Sequence, residues 1–562
     1  MKRAIGVLTV GLCLAAGCRA KEPTPAGRAR VVEGRTASRS TGFIDESRDG
    51  TPAEGGALRR RLIGEPATLN AVLQSTFPEQ QVLQYLSRNL LDFDSGMNLV
   101  PGLVESYRVS PDGRQLRFVI RPDAVWEDGA PVTAADAVFT IRSIRDPSIP
   151  SPVFKSLFED LESVEAVDSR AFLVRFRRPY ADRAMSFVLP LLPERRFAGE
   201  EFVKAPGNRA PLSNGPYRMV RWKAQESIEL ERNPRYFGPR GHFDRVIFRI
   251  MPEELVAYRA LVAGDLDETW IDASLRQRAR SDPAARACCR LVEYHDLGYS
   301  YIALNNRSPF FSDARVRRAV TMLLDRVSIV RSLFDGSARV VSGPWAPDSP
   351  AYDRTVEPLA FDPAGAARLL EGAGWRDSNG NGTRDREGKE FEFELLVSAG
   401  ATIGREIDET LAGQLARAGI LAHVRPIEWA AFIERIDAGN FEAASLAGSA
   451  SDPNPDPYPY WHSSQWPPAG LNSVFYKSLE ADRLMEEARV ELDRAKRLGI
   501  YHRLHRLFRD DAPAVFVVNA TQKYLFSLRV RGLVASPIGL FGIWPGPLGW
   551  WADGRDALAG LP

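Results

Sequence analysis

Cysteine is almost missing from this chain, with four in 562 residues. Two of the four, Cys13 and Cys18, stand near the N-terminus. The others, Cys288 and Cys289, are adjacent and could be joined only through a strained ring. A disulfide framework is therefore excluded, and the spacing is not that of a metal knuckle. The pair reads as two half-buried thiols leading into a strand, with a labile vicinal disulfide as the other reading. Histidine is scarce too, at six, and only His502 and His505 share a helical spacing, on what reads as a solvated helix face. Net charge is missing: 73 basic residues against 72 acidic ones leave +1, with no basic stripe, so nucleic acid is not an expected partner. Beyond the N-terminus no apolar run is long enough to span a bilayer. There is no Walker A loop, no dinucleotide fingerprint, no His-Glu-x-x-His and no Gly-x-Ser-x-Gly elbow. No repeat of solenoid length appears. These gaps remove the common ATPase, dehydrogenase, zinc-protease and hydrolase classes, and no cofactor is expected.

What is present begins with export. Lys2 and Arg3 precede a short apolar stretch, Ala4 to Ala16, that closes on LAAGC, residues 14–18. This is a signal peptide whose end resembles a bacterial lipobox, although position 15 is Ala rather than the commoner Leu. On that reading residues 1–17 are removed and Cys18 is lipidated, which places the protein in the cell envelope, lipid-anchored on a periplasmic or extracytoplasmic face. Residues 18–57 are rich in Pro, Gly, Ser, Thr, Arg and Glu, and read as a flexible tether.

The densest stretch is AGSASDPNPDPYPYWHSSQW, residues 447–466. Prolines at 453, 455, 457 and 459 argue against a helix or a central strand through it. What remains presents Asp452, Asp456, Tyr458, Tyr460, Trp461 and His462 on an ordered loop, a composition suited to recognition. His462, Ser463 and Ser464 beside Asp456 hold the inventory of a hydrolase triad. Residues so close on a Pro-rich loop are not expected to reach mutual hydrogen-bonding geometry, so catalysis is not expected. RDSNGNGTRDREGKE, residues 376–390, has the alternating Asp/Asn pattern of a calcium loop but Gly388 where the bidentate glutamate belongs. It reads as a Gly/Asn/Asp turn, with weak calcium binding left open.

Elements follow from periodicity. Asp112-Gly113 and Asp128-Gly129 predict tight turns between strands, and Thr133 with Asp136 a capped helix start. Apolar spacing predicts helices over 313–334, 403–418, 429–438 and 480–510, and strands over 58–63, 301–306, 391–399 and 420–427. Alternating strands and helices after residue 296 imply a mixed or mostly parallel sheet with helices packed on it.

Several of these stretches, in order, resemble the family-5 extracellular solute-binding proteins, the peptide, nickel and opine receptors of ABC importers. The resemblance rests on EPATLNAVL (65–73), the 100–141 block with its Asp-Gly turn and Thr-Ala-x-Asp-Val helix, PLSNGPYRMVRW (211–222), ELERNPRYF (229–237) and the Asp-Pro loop. It covers residues 60 to 540. It implies an α/β, two-lobed periplasmic-binding-protein fold of the large cluster C type, with an additional subdomain inserted in lobe I. Lobe I would comprise 58–75, 190–295 and 515–562, the inserted subdomain 76–189, and lobe II 296–514. The implied work is binding without catalysis: a monomer captures an oligopeptide or peptide-like solute between the lobes and delivers it to an ABC permease and ATPase complex. A buried α-amino group needs a carboxylate partner, and by resemblance Asp452 is the first choice and Asp456 the second, unless both only cap turns. Tyr458, Trp461, Asn214 and Asn472 are the other candidate lining residues, the two aromatics equally readable as loop packing. Ser449 stands where peptide binders commonly carry Trp. An envelope sensor or peptide chaperone of the same fold, or a receptor for chelated nickel, remains the alternative.

Overall fold

A computed structural model describes residues 44–46, 50–151, 153–197, 199–448, 453–467 and 470–552. Its architecture is set by two large sheets. The first has eight strands. Along it run Cys289–His295, Val518–Ser527, Glu268–Trp270, Ala57–Leu62, Arg245–Ile250, Ser227–Arg232 and Tyr217–Lys223, and Ala338–Val340 also pairs with Val518–Ser527. Ala57–Leu62 is parallel to both its neighbours, while Val518–Ser527 is antiparallel to its own.

The second sheet orders Leu421–Ile427, Glu392–Ser398, Ala443–Gly448, Tyr299–Leu304 and Ala514–Phe516. Side chains alternate across a strand, and here both faces are covered. Leu304, Leu395, Ala443 and Val515 enter one core, whereas Ala303, Leu396, Ala444 and Phe516 enter another. Helices Ala314–Met322, Arg326–Phe334, Pro363–Gly372 and Thr402–Arg417 contribute to the first of these cores. Trp429–Ala438, Leu479–Val490 and Arg494–Asp511 contribute to the second. This is the strand–helix alternation the sequence predicts after residue 296.

A four-stranded antiparallel sheet, Val104–Val109, Gln115–Ile120, Ala171–Phe176 and Leu161–Ala166, forms the subdomain carried by the first lobe. Gly113 turns its first hairpin with φ of 68°, a left-handed conformation that glycine adopts without penalty. Helix Ala134–Arg145 starts with the predicted capping box of Thr133 and Asp136. The subdomain shares one continuous core with the first lobe, reaching from Leu58 and Phe248 to Phe118 and Phe172.

Besides the excursion that brings Ala338–Val340 to the edge of Val518–Ser527, the chain passes directly from a strand of one sheet to a strand of the other at two places. Residues 296–298 join Cys289–His295 to Tyr299–Leu304, and residue 517 joins Ala514–Phe516 to Val518–Ser527. The two passages lie side by side, since the Val517 amide donates to the Ser300 carbonyl at 2.9 Å. Asn519 Nδ2 ties them by donating to the carbonyls of Asp296 at 2.8 Å and Gly298 at 2.6 Å.

Three expectations change. The helix expected over 313–334 is two, because Asp325 caps a new start by accepting from the Ser328 amide at 3.0 Å. The helix expected over 480–510 is also two, restarted by Asp493 accepting from the Lys496 amide at 3.0 Å. The expected tether is docked over its last part. Ile44–Asp45 pairs with Val534–Ala535, Glu46 forms an ion pair with Arg290, and Glu54 forms another with Arg232. Cys18 and the remainder of that segment, 18–43 and 47–49, lie outside the described residues. No helix among the described residues is long and apolar enough to cross a membrane.

Candidate functional site

Strand Ala443–Gly448 ends against Tyr299, and a Cβ on Gly448 would lie 2.4 Å from the Tyr299 ring. Only glycine lets that ring cross the strand end. Asp452 and Ser449 lie outside the described residues. From Pro453 the loop runs without ladder bonds to a single helical turn, Tyr458–Trp461. The prolines were expected to exclude a helix here. One turn survives because Pro459 falls in its first turn, where the missing amide costs no bond.

Asp456 is buried, and its partner comes from a distant helix. Arg489 Nε donates to Oδ2 at 2.9 Å, and the Tyr458 amide donates to Oδ1 at 3.1 Å. Burial pushes the Asp456 carboxyl up, and Arg489 pulls the other way. The Arg489 guanidinium also lies over the Tyr458 ring, 4.1 Å from its centroid, and 5.1 Å from that of Tyr180. Tyr180 belongs to the chain leaving the inserted subdomain. Its hydroxyl accepts from Asn454 Nδ2 at 2.5 Å, and the Ala181 amide donates to the Arg489 carbonyl at 2.8 Å. Next to it, Asp182 pairs with Arg497 at 2.8 Å, the two side chains 6% and 8% exposed. Burial raises the Asp182 carboxyl and Arg497 opposes it. Tyr180, Asp182, Asn454, Asp456, Arg489 and Arg497 thus form a polar clasp between the first lobe's subdomain and the second lobe.

The remaining candidates separate. Trp461 is 3% exposed and packs on Phe508, Phe516 and Tyr301 at centroid distances of 5.1, 5.5 and 6.0 Å, which makes it part of the second lobe's core. Asn472 is fully buried. Its Nδ2 donates to the carbonyls of Trp461, His462 and Tyr476 at 3.0–3.1 Å, and its Oδ1 accepts from the Tyr476 amide at 3.2 Å. With its donor spent on the loop's own backbone, Asn472 is a staple. Tyr458 is half-buried and stacks on His462 at 4.1 Å. Asn214 lies in the first lobe. Its Oδ1 accepts from the Arg88 amide at 2.8 Å, and its Nδ2 is buried without a hydrogen-bond partner.

His462 and Ser464 do meet, against expectation: Nδ1 and Oγ are 2.8 Å apart. His462 caps the turn Ser463–Gln465, with Nδ1 accepting from the Ser464 amide at 3.1 Å. Asp456 faces Arg489 instead, so the triad inventory is not assembled. In the 376–390 loop, the Asp377 carboxylate accepts from the amides of Gly380, Asn381 and Gly382, which is the chemistry of a turn. Among the described residues no group of three or more His, Cys, Asp or Glu is placed to hold a metal ion.

Sequence reasoning missed Arg489, Tyr180, Asp182 and Arg497. Only Arg497 left a signal: with Ile500, Tyr501, Leu504 and Phe508 it falls on the buried stripe of its helix, where a charge needs a partner.

Two lobes are joined by paired crossings, with a clasp and an aromatic-rich loop at their junction. Comparison with known proteins gives the family. Residues 98–469 match the bacterial extracellular solute-binding proteins, family 5, and the chain belongs to that family. The oligopeptide-binding protein AppA of Bacillus subtilis is 30% identical over 500 residues, covering 85% of this chain and 89% of its own. The structure of AppA from Bacillus subtilis in complex with a nonapeptide matches with a TM-score of 0.72 at 27% identity, covering 90% of this chain and 100% of that one. NikZ from Campylobacter jejuni in complex with Ni(L-His) matches with a TM-score of 0.73 at 23% identity, covering 88% and 99%, a likeness of fold. The chain is a binding protein of the ABC-importer kind and not an enzyme.

Proposed function

We propose that this protein is a lipid-anchored receptor that captures oligopeptides or peptide-like amines between its lobes and passes them to an ABC permease. The observation that carries the peptide reading is the relation to AppA, an oligopeptide-binding protein, along most of both chains. Cys18 is the lipid attachment point, and docking of residues 44–46 leaves the shorter segment before them as the tether. Asp452 is the anchor for the solute's amino group. Asp456 is committed to Arg489 and shapes the loop from behind. Closure of the lobes about the two crossings sequesters the solute, and the clasp latches the closed form.

Native mass spectrometry of the purified chain, before and after denaturation and refolding, tests this. The expected result is a ladder of short peptides that leaves on refolding, rebinds from a di- to pentapeptide library, and is lost in Asp452→Ala. A chain that arrives empty and gives no thermal shift with that library would sink the peptide reading.

A further inference from the structure

Helix Pro283–Cys288 ends and strand Cys289–His295 begins between two adjacent cysteines. Neighbouring side chains diverge on a helix and point to opposite faces of a strand, so regular structure would hold these thiols apart. The change of backbone at this junction, with Cys289 at φ −134° and ψ 159°, cancels the divergence. The two Sγ atoms lie 2.8 Å apart. Cys288 is half-buried and its thiol faces the carbonyls of Val262 and Ala285 at 3.8 Å, while Cys289 is 8% exposed in a small apolar core with Leu261, Leu266 and Leu525.

We propose that Cys288 and Cys289 form a modification site, a dithiol that closes to a vicinal disulfide by exchange with a disulfide donor. The half-exposed Cys288 loses its proton to solvent and attacks one donor sulfur, which forms a mixed disulfide and releases one donor thiolate. Cys289, kept protonated in the resting state by burial and by its neighbour, then gives up its proton and attacks the Cys288 sulfur. That expels the second donor thiolate. Two protein thiols become one disulfide, one donor disulfide becomes two thiols, and the two protons end on the donor. The bond would pin the helix end to the strand that leads into the first lobe crossing. The site is independent of solute capture, and its test reads thiol chemistry alone.

The full chain is incubated with excess oxidised glutathione, denatured in acid, alkylated without reductant and digested with trypsin. Cleavage after Arg286 and Arg290 releases a tetrapeptide that carries both cysteines. The expected tetrapeptide is lighter than the dithiol by two hydrogens and takes up no alkyl group. After reduction its alkylated fraction rises by about tenfold or more. Cys289→Ser is expected to stop at the stage of one glutathione on Cys288. A doubly alkylated tetrapeptide, or a glutathione adduct that persists in the unmodified chain, would overturn the proposal.

Discussion

Asp408 shows how much one side chain can report. It lies on helix Thr402–Arg417, wholly buried, with Ser445 Oγ donating to Oδ1 at 2.5 Å and Oδ2 without a hydrogen-bond partner. Burial pushes its carboxyl up to about 8, against the pull of Ser445. The folded chain therefore holds a proton there that the unfolded chain releases near pH 4. The stability this proton contributes is fully present below about pH 4 and is lost as pH rises through about 8. Asp408→Asn keeps the Ser445 bond and removes the titration. Its stability relative to the parent should climb between these limits, by up to about 1.4 kcal/mol per pH unit. Thermal unfolding of both chains across that range measures the slope, and parallel curves would refute the assignment.

At the scale of elements, the loop after Gly448 is held by its own backbone through Asn472. Asn472→Ala takes the side-chain donor from the carbonyls of Trp461, His462 and Tyr476, of which the last two keep the Gln465 amide and Trp466 Nε1, and should cost about 1–3 kcal/mol. Asn472→Asp, which points an acceptor at those carbonyls, should cost more. Chemical unfolding with limited proteolysis across 463–476 reads the loss, and an unchanged cleavage rate would mean the staple is dispensable. The same loop marks how far the sequence could be read. Turn and cap chemistry is local, so the Gly113 hairpin, the Thr133 capping box and the helix over 429–438 were legible from neighbours in the chain. Helix 313–334 was not read correctly, because its apolar face continues through Asp325 while the backbone restarts there. Asp456 could be named, but its partner could not. Arg489 sits on another helix and Tyr180 on another lobe, and no spacing within the loop encodes either. Trp461 shows the opposite failure, since an aromatic in a recognition-like loop and an aromatic in a core look alike until its neighbours are known.

At the scale of the whole molecule, the two lobes meet through charge as well as shape. Arg497→Ala would leave Asp182 buried and unpaired in the clasped form, a cost of about 3 kcal/mol. That is enough to move the balance between clasped and open forms by more than about a hundredfold. Small-angle scattering without solute should show a larger radius of gyration for this variant than for the parent. Asp182→Asn combined with Arg497→Met, which removes both charges, should recover most of the compactness. An unchanged radius in Arg497→Ala would show that shape alone holds the lobes together.

Strand Val518–Ser527 lies inside the first-lobe sheet, between Cys289–His295 and Glu268–Trp270, although it is nearly the last strand of the chain. The second sheet, by contrast, is built wholly from residues 299–516, and the two ends of that stretch emerge side by side. A chain made from its N-terminus can therefore complete its second sheet before its first. The first-lobe sheet gains the strand that joins Cys289–His295 to Glu268–Trp270 only when almost the entire polypeptide has been made.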